Sequence, residues 1–213
     1  KTGASKTNSR QTQPDPSLRM RCNVVTCDIC FMLEISLCMQ RHYVDINPYV
    51  PVTPHNFKQP KPIGLKVTNN RPSNNIAQGS GPDLFFFSPK FTVRAESDLT
   101  DIIRKKISDG LFRIGFDPKR IEKIPNKTFR VKIVRLKSRY EERLPVFNVR
   151  VQAALRGHCV NRRKSYAKTY SYEKQFNSAP ASTFPNENLI NSTLSETLKK
   201  MFEDVKLISC LAQ

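Results

Sequence analysis

The residues best equipped for chemistry in this chain are its cysteines, and their spacing is uneven. Cys22, Cys27 and Cys30 form a Cys-x4-Cys-x2-Cys run, with Cys38 further on. That spacing matches a plant-type iron–sulfur loop and can also be read as a zinc set. The residues in between argue against a metal. A metal loop needs glycines and polar groups that donate to sulfur, whereas this stretch offers Asn23, Val24, Val25, Thr26, Phe31, Met32 and Leu33. A cysteine-rich apolar leader is the better reading. Met20-Arg21 gives a short basic start, and an apolar stretch runs from Cys22 to Leu37. Cys38 stands where a lipoprotein signal is cut and the new first residue acylated. Cys38 is therefore the candidate lipidation site. Asp28 and Glu34 interrupt the apolar run, and Leu37 is larger than the Gly or Ala usual before such a cysteine. A degenerate leader that is never processed is thus the alternative.

Little else offers reactive chemistry. Cys159 and Cys210 are isolated in sequence; they read as two free thiols, at least one of them buried, with a bridge in an oxidising compartment as the alternative. Of the histidines, His42 and His55 fall in a proline-rich stretch. His158 adjoins Cys159, but neighbours on a strand point to opposite faces, so the two make no nucleophile–base couple. Gly79-Ser80-Gly81 is too short for a phosphate loop and lacks the following lysine. Gly-x-Ser-x-Gly and His-Glu-x-x-His are absent. Asp98 and Asp101 share a helix start, where the macrodipole accounts for them. The sequons at Asn126 and Asn191 matter only in a eukaryotic secretory route. The chain is expected to carry no catalytic residue, cofactor or metal.

Charge is the strongest compositional signal. The 213 residues hold 36 Lys and Arg against 18 Asp and Glu, a net charge of +18. Between Lys119 and Lys174 lie seventeen basic residues and four acids, a net +13, so the excess belongs to the folded part. Such a surface favours anionic partners: nucleic acid, lipid headgroups, lipopolysaccharide phosphates or an acidic protein. No apolar run reaches the length of a membrane-spanning helix.

The elements that would position this charge divide the chain in three. Residues 1–38 read as a polar, disordered start followed by the leader; a first residue of Lys rather than Met reads as a fragment, a tag remnant or an unusual start. Residues 39–61 read as a linker, because Pro48, Pro51, Pro54 and Pro60 favour extended polyproline backbone. Residues 62–213 read as one α+β domain with the order β-β-α-β-β-β-α. A first strand, Ile63–Thr68, is followed by a loop, 69–82, and by extended pieces within Leu84–Ala95. A helix runs from a Ser97 or Asp98 cap through Leu99, Ile103, Ile107 and Leu111 to Gly115. Strands at Thr128–Leu136, Val146–Arg156 and Ser165–Phe176 alternate apolar and polar residues and are joined by short connections, as in antiparallel hairpins. A last helix carries the stripe Ile190, Leu194, Leu198, Met201 and Val205 after an Asn186 or Asn188 cap. The expected fold is a mixed, largely antiparallel sheet with both helices packed on one face.

The stretch Pro62-Ile-Gly-Leu-Lys-Val-Thr-Asn-Asn-Arg-Pro72 resembles the opening strand of the YajG family of gram-negative envelope lipoproteins. The helix running into Gly115-Phe116, the three strands and the C-terminal helix follow the same order. The resemblance covers about Pro62 to Gln213 and implies a lipid-anchored domain on the periplasmic face of the outer membrane, without catalytic residues.

Strand parity turns Arg130, Lys132, Arg150 and Arg156 outward as the candidate face for an anionic partner. The favoured role is a non-enzymatic envelope lipoprotein that binds anionic lipid or serves as an accessory subunit of an envelope or secretion complex. The alternative is a cytoplasmic domain of double-stranded-RNA-binding type. Helix, three strands and helix is that domain's order too, and Tyr166, Tyr170 and Tyr172 would suit stacking. Against it, the last helix opens on Asn186-Glu-Asn without a lysine cluster.

Overall fold

A computed structural model describes residues 40–53, 60–80, 90–124, 126–143, 146–162, 164–178 and 186–213, all within one compact unit, Ser36–Gln213. The fold is α+β, as expected. Its strands are β1 (Gln40–Val44), β2 (Lys61–Asn69), β3 (Asn75–Ser80), β4 (Lys90–Ala95), β5 (Phe116–Arg120), β6 (Lys127–Arg143), β7 (Val146–Asn161) and β8 (Lys164–Ser178). The helices are α1 (Leu99–Arg113), α2 (Glu187–Phe202) and α3 (Val205–Ala212). The main sheet has the order β5-β2-β6-β7-β8, and a three-stranded sheet has the order β1-β4-β3. β2 runs parallel to both β5 and β6, while β6, β7 and β8 form an antiparallel meander. No described helix is long and apolar enough to cross a membrane.

Alternation along the long strands builds the core. Ile63, Leu65 and Val67 of β2 lie beside Phe129, Val131 and Ile133 of β6, and Val149, Val151, Ala153 and Leu155 of β7 continue the same buried face. The register slips between Ile133 and Arg135, where Val134 is the extra residue of a bulge. Beyond it the odd positions of β6 turn outward, and Leu136 and Ser138 are buried.

α1 starts where the sequence places it. The Asp98 carboxylate accepts from the N–H groups of Thr100 and Asp101 at 2.6 and 3.3 Å. It buries Leu99, Ile103, Ile107 and Leu111 and ends at Gly115, whose φ of 92° suits glycine. Gly110 answers a helix contact: a Cβ there would sit 2.7 Å from the Phe202 ring of α2.

Four expectations need correction. The 69–82 loop contains β3, and the Leu84–Ala95 stretch contributes β4 from Lys90 on; residues 81–89 lie outside the described residues. β5 was not expected, because Phe116 follows the helix end immediately and Pro118 weakens the strand pattern. The last helix is two helices. Asp204 starts α3 by accepting from Lys206 N–H and Leu207 N–H, which resets the helical phase. Val205 is consequently 75% exposed, and Leu207, Cys210 and Leu211 point inward.

The fourth correction concerns the linker. Residues 40–53 belong to the folded unit: β1 pairs in parallel with β4, and Val44, Ile46, Pro48 and Val50 are buried. Prolines are compatible with this because the segment after β1 is an extended strap that needs no sheet partner. Side chains on one face of α2 satisfy its backbone instead. Glu187, Asn191 and Ser195 accept from the N–H groups of Asp45, Asn47 and Tyr49 at 3.1, 2.8 and 2.8 Å. Asn191 also donates to the Asp45 carbonyl at 3.0 Å. The i, i+4, i+8 spacing of a helix face thus matches the every-second-residue period of an extended chain.

Ile46→Ala should therefore cost about 2–4 kcal/mol, and Asn191→Ala about 1–3 kcal/mol, read as lowered midpoints in urea unfolding. Unchanged midpoints for both would return the segment to linker status.

A candidate anion-binding face

The helices all pack on one face of the main sheet, α1 against β2 and β5, α2 and α3 against β7 and β8. Among the described residues the other face carries only the 3-10 turn Ile121–Lys123, at the Gly64 end of β2, where a Cβ on Gly64 would lie 2.8 Å from the Ile124 carbonyl oxygen. Beyond that turn, Lys66, Arg130, Lys132, Arg135, Lys137, Arg139 and Arg156 of this face are exposed, whereas Asn148 and Ala154 are buried.

Its side chains follow from the pairing register. Lys66 lies opposite Arg130, and Thr68 opposite Lys132. Arg130 lies opposite His158, Lys132 opposite Arg156, and Arg139 opposite Arg150. The four residues expected from parity, Arg130, Lys132, Arg150 and Arg156, thus do share a face, although Arg150 and Arg156 stand about 20 Å apart along β7. Lys66, Arg135, Lys137 and Arg139 join them and are exposed. Lys66 was legible as the polar partner of the Ile63, Leu65, Val67 alternation. The other three were hidden by the bulge, which moves the outward parity from even to odd numbers.

The face has two halves of different character. In the far half acids are interleaved. Glu173 sits 3.2 Å from Arg150 Nε and accepts from Gln152 at 2.6 Å, while Arg135 donates to Gln152 at 3.3 Å. Arg150 is accordingly half-buried and already partnered, which corrects its expected role as a free contact. In the near half, Lys66, Arg130, Lys132 and Arg156 have no ion-pair or hydrogen-bond partner among the described residues. His158 shares a 2.9 Å hydrogen bond with Ser165 Oγ. Lys66, Thr68, Asn69, Asn70, Ile121, Thr128, Arg130 and Lys132 line a concavity of about 650 Å³.

The tyrosines are not on this face. Tyr166 and Tyr170 point to the helical side, where both hydroxyls donate to Asp204 Oδ2 at 2.9 Å, as does Lys168 Nζ at 2.9 Å. Lys200 lies 4.9 Å above the Tyr172 ring. Desolvation pushes the Asp204 carboxyl up, but the donors Lys168, Tyr170 and Tyr166 and the Leu207 N–H outweigh it and hold the group down at about 2. Burial, together with the bond to Asp204, raises the Tyr170 phenol well above its usual range. This cluster is a clamp on α3, so Tyr166 and Tyr170 are not offered for stacking on the basic face.

A second clamp corrects the cysteine expectation. Cys159 of β7 and Cys210 of α3 form a disulfide, with Cα atoms 6.4 Å apart, rather than two free thiols. Sequence cannot bring together positions 51 residues apart; the helix break at Asp204 does. Asn161 Nδ2 also donates to the Cys210 carbonyl at 3.0 Å, and Lys61 Nζ to the Ala212 carbonyl.

Cys38, Cys22, Cys27, Cys30 and His55 lie outside the described residues. Among the described residues no group of His, Cys, Asp or Glu could hold a metal ion. His42 sits on β1, with burial lowering its basicity.

No family model and no curated protein matches the chain. Three solved structures are similar over much of it. A DUF330 protein from Xanthomonas campestris is 10% identical, covers 82% of this chain and 95% of its own, and has a TM-score of 0.44. A minor lipoprotein from Acinetobacter baumannii is 7% identical, with coverages of 70% and 94% and a TM-score of 0.41. A neuraminyllactose-binding hemagglutinin homolog from Helicobacter pylori is 11% identical, with coverages of 76% and 95% and a TM-score of 0.38. At these scores none of them carries its family or function to this chain.

Asp204→Ala should lower stability by about 2–3 kcal/mol, through loss of the α3 cap and of bonds to a charged acceptor. Because the folded carboxyl is held below its unfolded value, its contribution is fully present above about pH 4 and is lost as pH falls toward 2. Urea midpoints across pH 2–6 should fall for the parent and be flatter for the variant. Parallel curves would mean that Asp204 is not linked to folding.

Proposed function

We propose that the chain is a non-enzymatic binding domain of the bacterial envelope whose open sheet face rests on an anionic lipid surface. The observation that carries this reading is the outer face itself: among the described residues no α-helix packs on it, and it bears Lys66, Arg130, Lys132, Arg135, Lys137, Arg139 and Arg156, all exposed, against Glu141 and Glu173, with Asp117 already paired to Lys119 and Glu122 on the 3-10 turn at its edge. Long antiparallel strands can leave one face to solvent, but an ordinary solvated face mixes both signs. Basic residues near an anionic membrane each contribute about 1 kcal/mol, so a face of this density binds without any single strong contact.

Three further points support the compartment. A disulfide between Cys159 and Cys210 suits an oxidising space and not a reducing cytoplasm. Cys38, the proposed lipidation site, stands two residues before β1, and two residues reach at most about 7 Å. An acyl chain there would hold the folded unit at the membrane itself and not at the end of a spacer. The resemblance to the YajG lipoproteins fits the same location, the periplasmic face of the outer membrane.

The test is sedimentation with vesicles of phosphatidylcholine containing phosphatidylglycerol, against phosphatidylcholine alone. Binding should require the anionic lipid and weaken steeply with salt. Arg156→Glu should reduce it about tenfold, and Arg150→Glu less, because Glu173 already partners Arg150. Equal binding to both vesicle types, or a tighter and salt-steep association with duplex RNA, would overturn the reading.

A further inference from the structure

The near half of the outer face is built differently from the rest, and the difference points to a ligand. Lys66, Arg130, Lys132 and Arg156 occupy adjacent positions on three neighbouring strands, β2, β6 and β7. Neighbouring strands are about 4.8 Å apart, and alternate residues on a strand about 7 Å. Four long cationic side chains therefore start within about 12 Å of one another. Like charges set opposite each other destabilise a sheet, and among the described residues no acid pairs with them. The outward residues of β8 at this level are Ala167 and Thr169. Asp117, outward on β5, is already paired with Lys119 at 3.0 Å. Glu122 lies on the 3-10 turn and pairs with none of the four. In the far half, by contrast, Glu173 and Glu141 interleave with the arginines.

The surface is also concave here. The 3-10 turn stands over the Gly64 end of β2 as one wall, with Ile121 on the lining. Asn69 and Asn70 form the opposite rim, where Thr68 Oγ1 donates to Asn70 Oδ1 at 2.9 Å and Arg71 holds Asn69 Oδ1 at 3.1 Å. Thr68, Thr128 and the rim amides add neutral hydrogen-bonding groups to a cationic floor.

We infer that this concavity is a discrete binding site for a phosphomonoester, with Arg130 as the two-pronged contact and Lys66 and Lys132 as the flanking charges. A terminal phosphate near neutral pH carries about two negative charges and three acceptor oxygens. It matches a guanidinium fork with two ammonium groups. A phosphodiester, with one charge and two free oxygens, supplies only about half the charge of the monoester and one acceptor fewer. The site rests on the basic-face reading and narrows it from a diffuse anionic surface to a particular headgroup.

The test uses the full chain, two paired variants and three probes. Arg130→Gln with Lys132→Gln empties the concavity, and Lys137→Gln with Arg139→Gln removes the same charge from the far half. The probes are inorganic pyrophosphate, followed by amide chemical shifts, and phosphatidylcholine vesicles containing either phosphatidic acid or phosphatidylglycerol. Phosphatidic acid binding should fall at least tenfold in the first variant and less than threefold in the second, whereas phosphatidylglycerol binding should fall equally in both. Unfolding midpoints of the first variant should equal or exceed the parent's, because a repulsion has been removed. Pyrophosphate shifts centred on β2 and β6 without any vesicle binding would support a soluble phosphate ligand, with the site standing and the membrane reading gone. Equal loss in both variants with phosphatidic acid would overturn the site and leave the diffuse face. Absence of binding to all three probes would overturn both.

Discussion

The long β6–β7 ladder is the interaction on which the rest of this structure depends. Its two strands run side by side from Lys127 to Arg143 and from Val146 to Asn161. Each supplies a buried row of apolar residues; the outward row of β6 is rich in arginine and lysine, and that of β7 adds Arg150 and Arg156. Backbone hydrogen bonds hold both rows at fixed spacing, so the cations cannot move apart, and inner-face burial offsets their repulsion. The energetic asymmetry is large: a fully buried aliphatic or phenylalanine side chain contributes about 1.5–3 kcal/mol, whereas an exposed charge pair is worth under about 1 kcal/mol. The core therefore decides the register, and the charged face follows from it.

The same sheet explains why both ends of the folded unit are so firmly tied on the helical side. The strap after β1 borrows hydrogen bonds from α2, and α3 is held by a disulfide, a buried amide and the Asp204 cluster. Asp204 serves two purposes with one carboxylate. Oδ1 caps the helix, and Oδ2 gathers two phenols and an ammonium. Such a group is stable only when fully hydrogen-bonded, since a buried carboxylate missing donors would be costly.

That division gives the functional reading its physical content. Helices cover one face, charge covers the other, and the two halves of the charged face differ in whether acids answer the cations. A neutralised arginine such as Arg150 contributes to the fold. An unanswered cluster such as Lys66, Arg130 and Lys132 costs stability and is the place where an anion gains most. Where local choices conflict with stability, a functional site is the usual reason.

The sequence by itself determined much of this protein. Alternation at Phe129, Val131 and Ile133 and at Val149 to Leu155, together with the Asp98 cap and the Gly115 terminator, fixed the central strands, the first helix and the fold class, because side-chain period and cap chemistry are local properties. Arg130, Lys132 and Arg156 were legible as an outward row for the same reason. Tertiary structure decided the remainder. The bulge at Val134 reversed parity and brought Arg135, Lys137 and Arg139 to the face, and a single inserted residue has no local signature. The strap at Val44 to Val50 has linker composition, and it is folded only because Glu187, Asn191 and Ser195 reach it from a distant part of the chain. Cys159 and Cys210, and Tyr170 and Asp204, are far apart in sequence and meet only after α3 packs on β7 and β8. A pairing across such a distance is set by the whole core and not by the residues that make it.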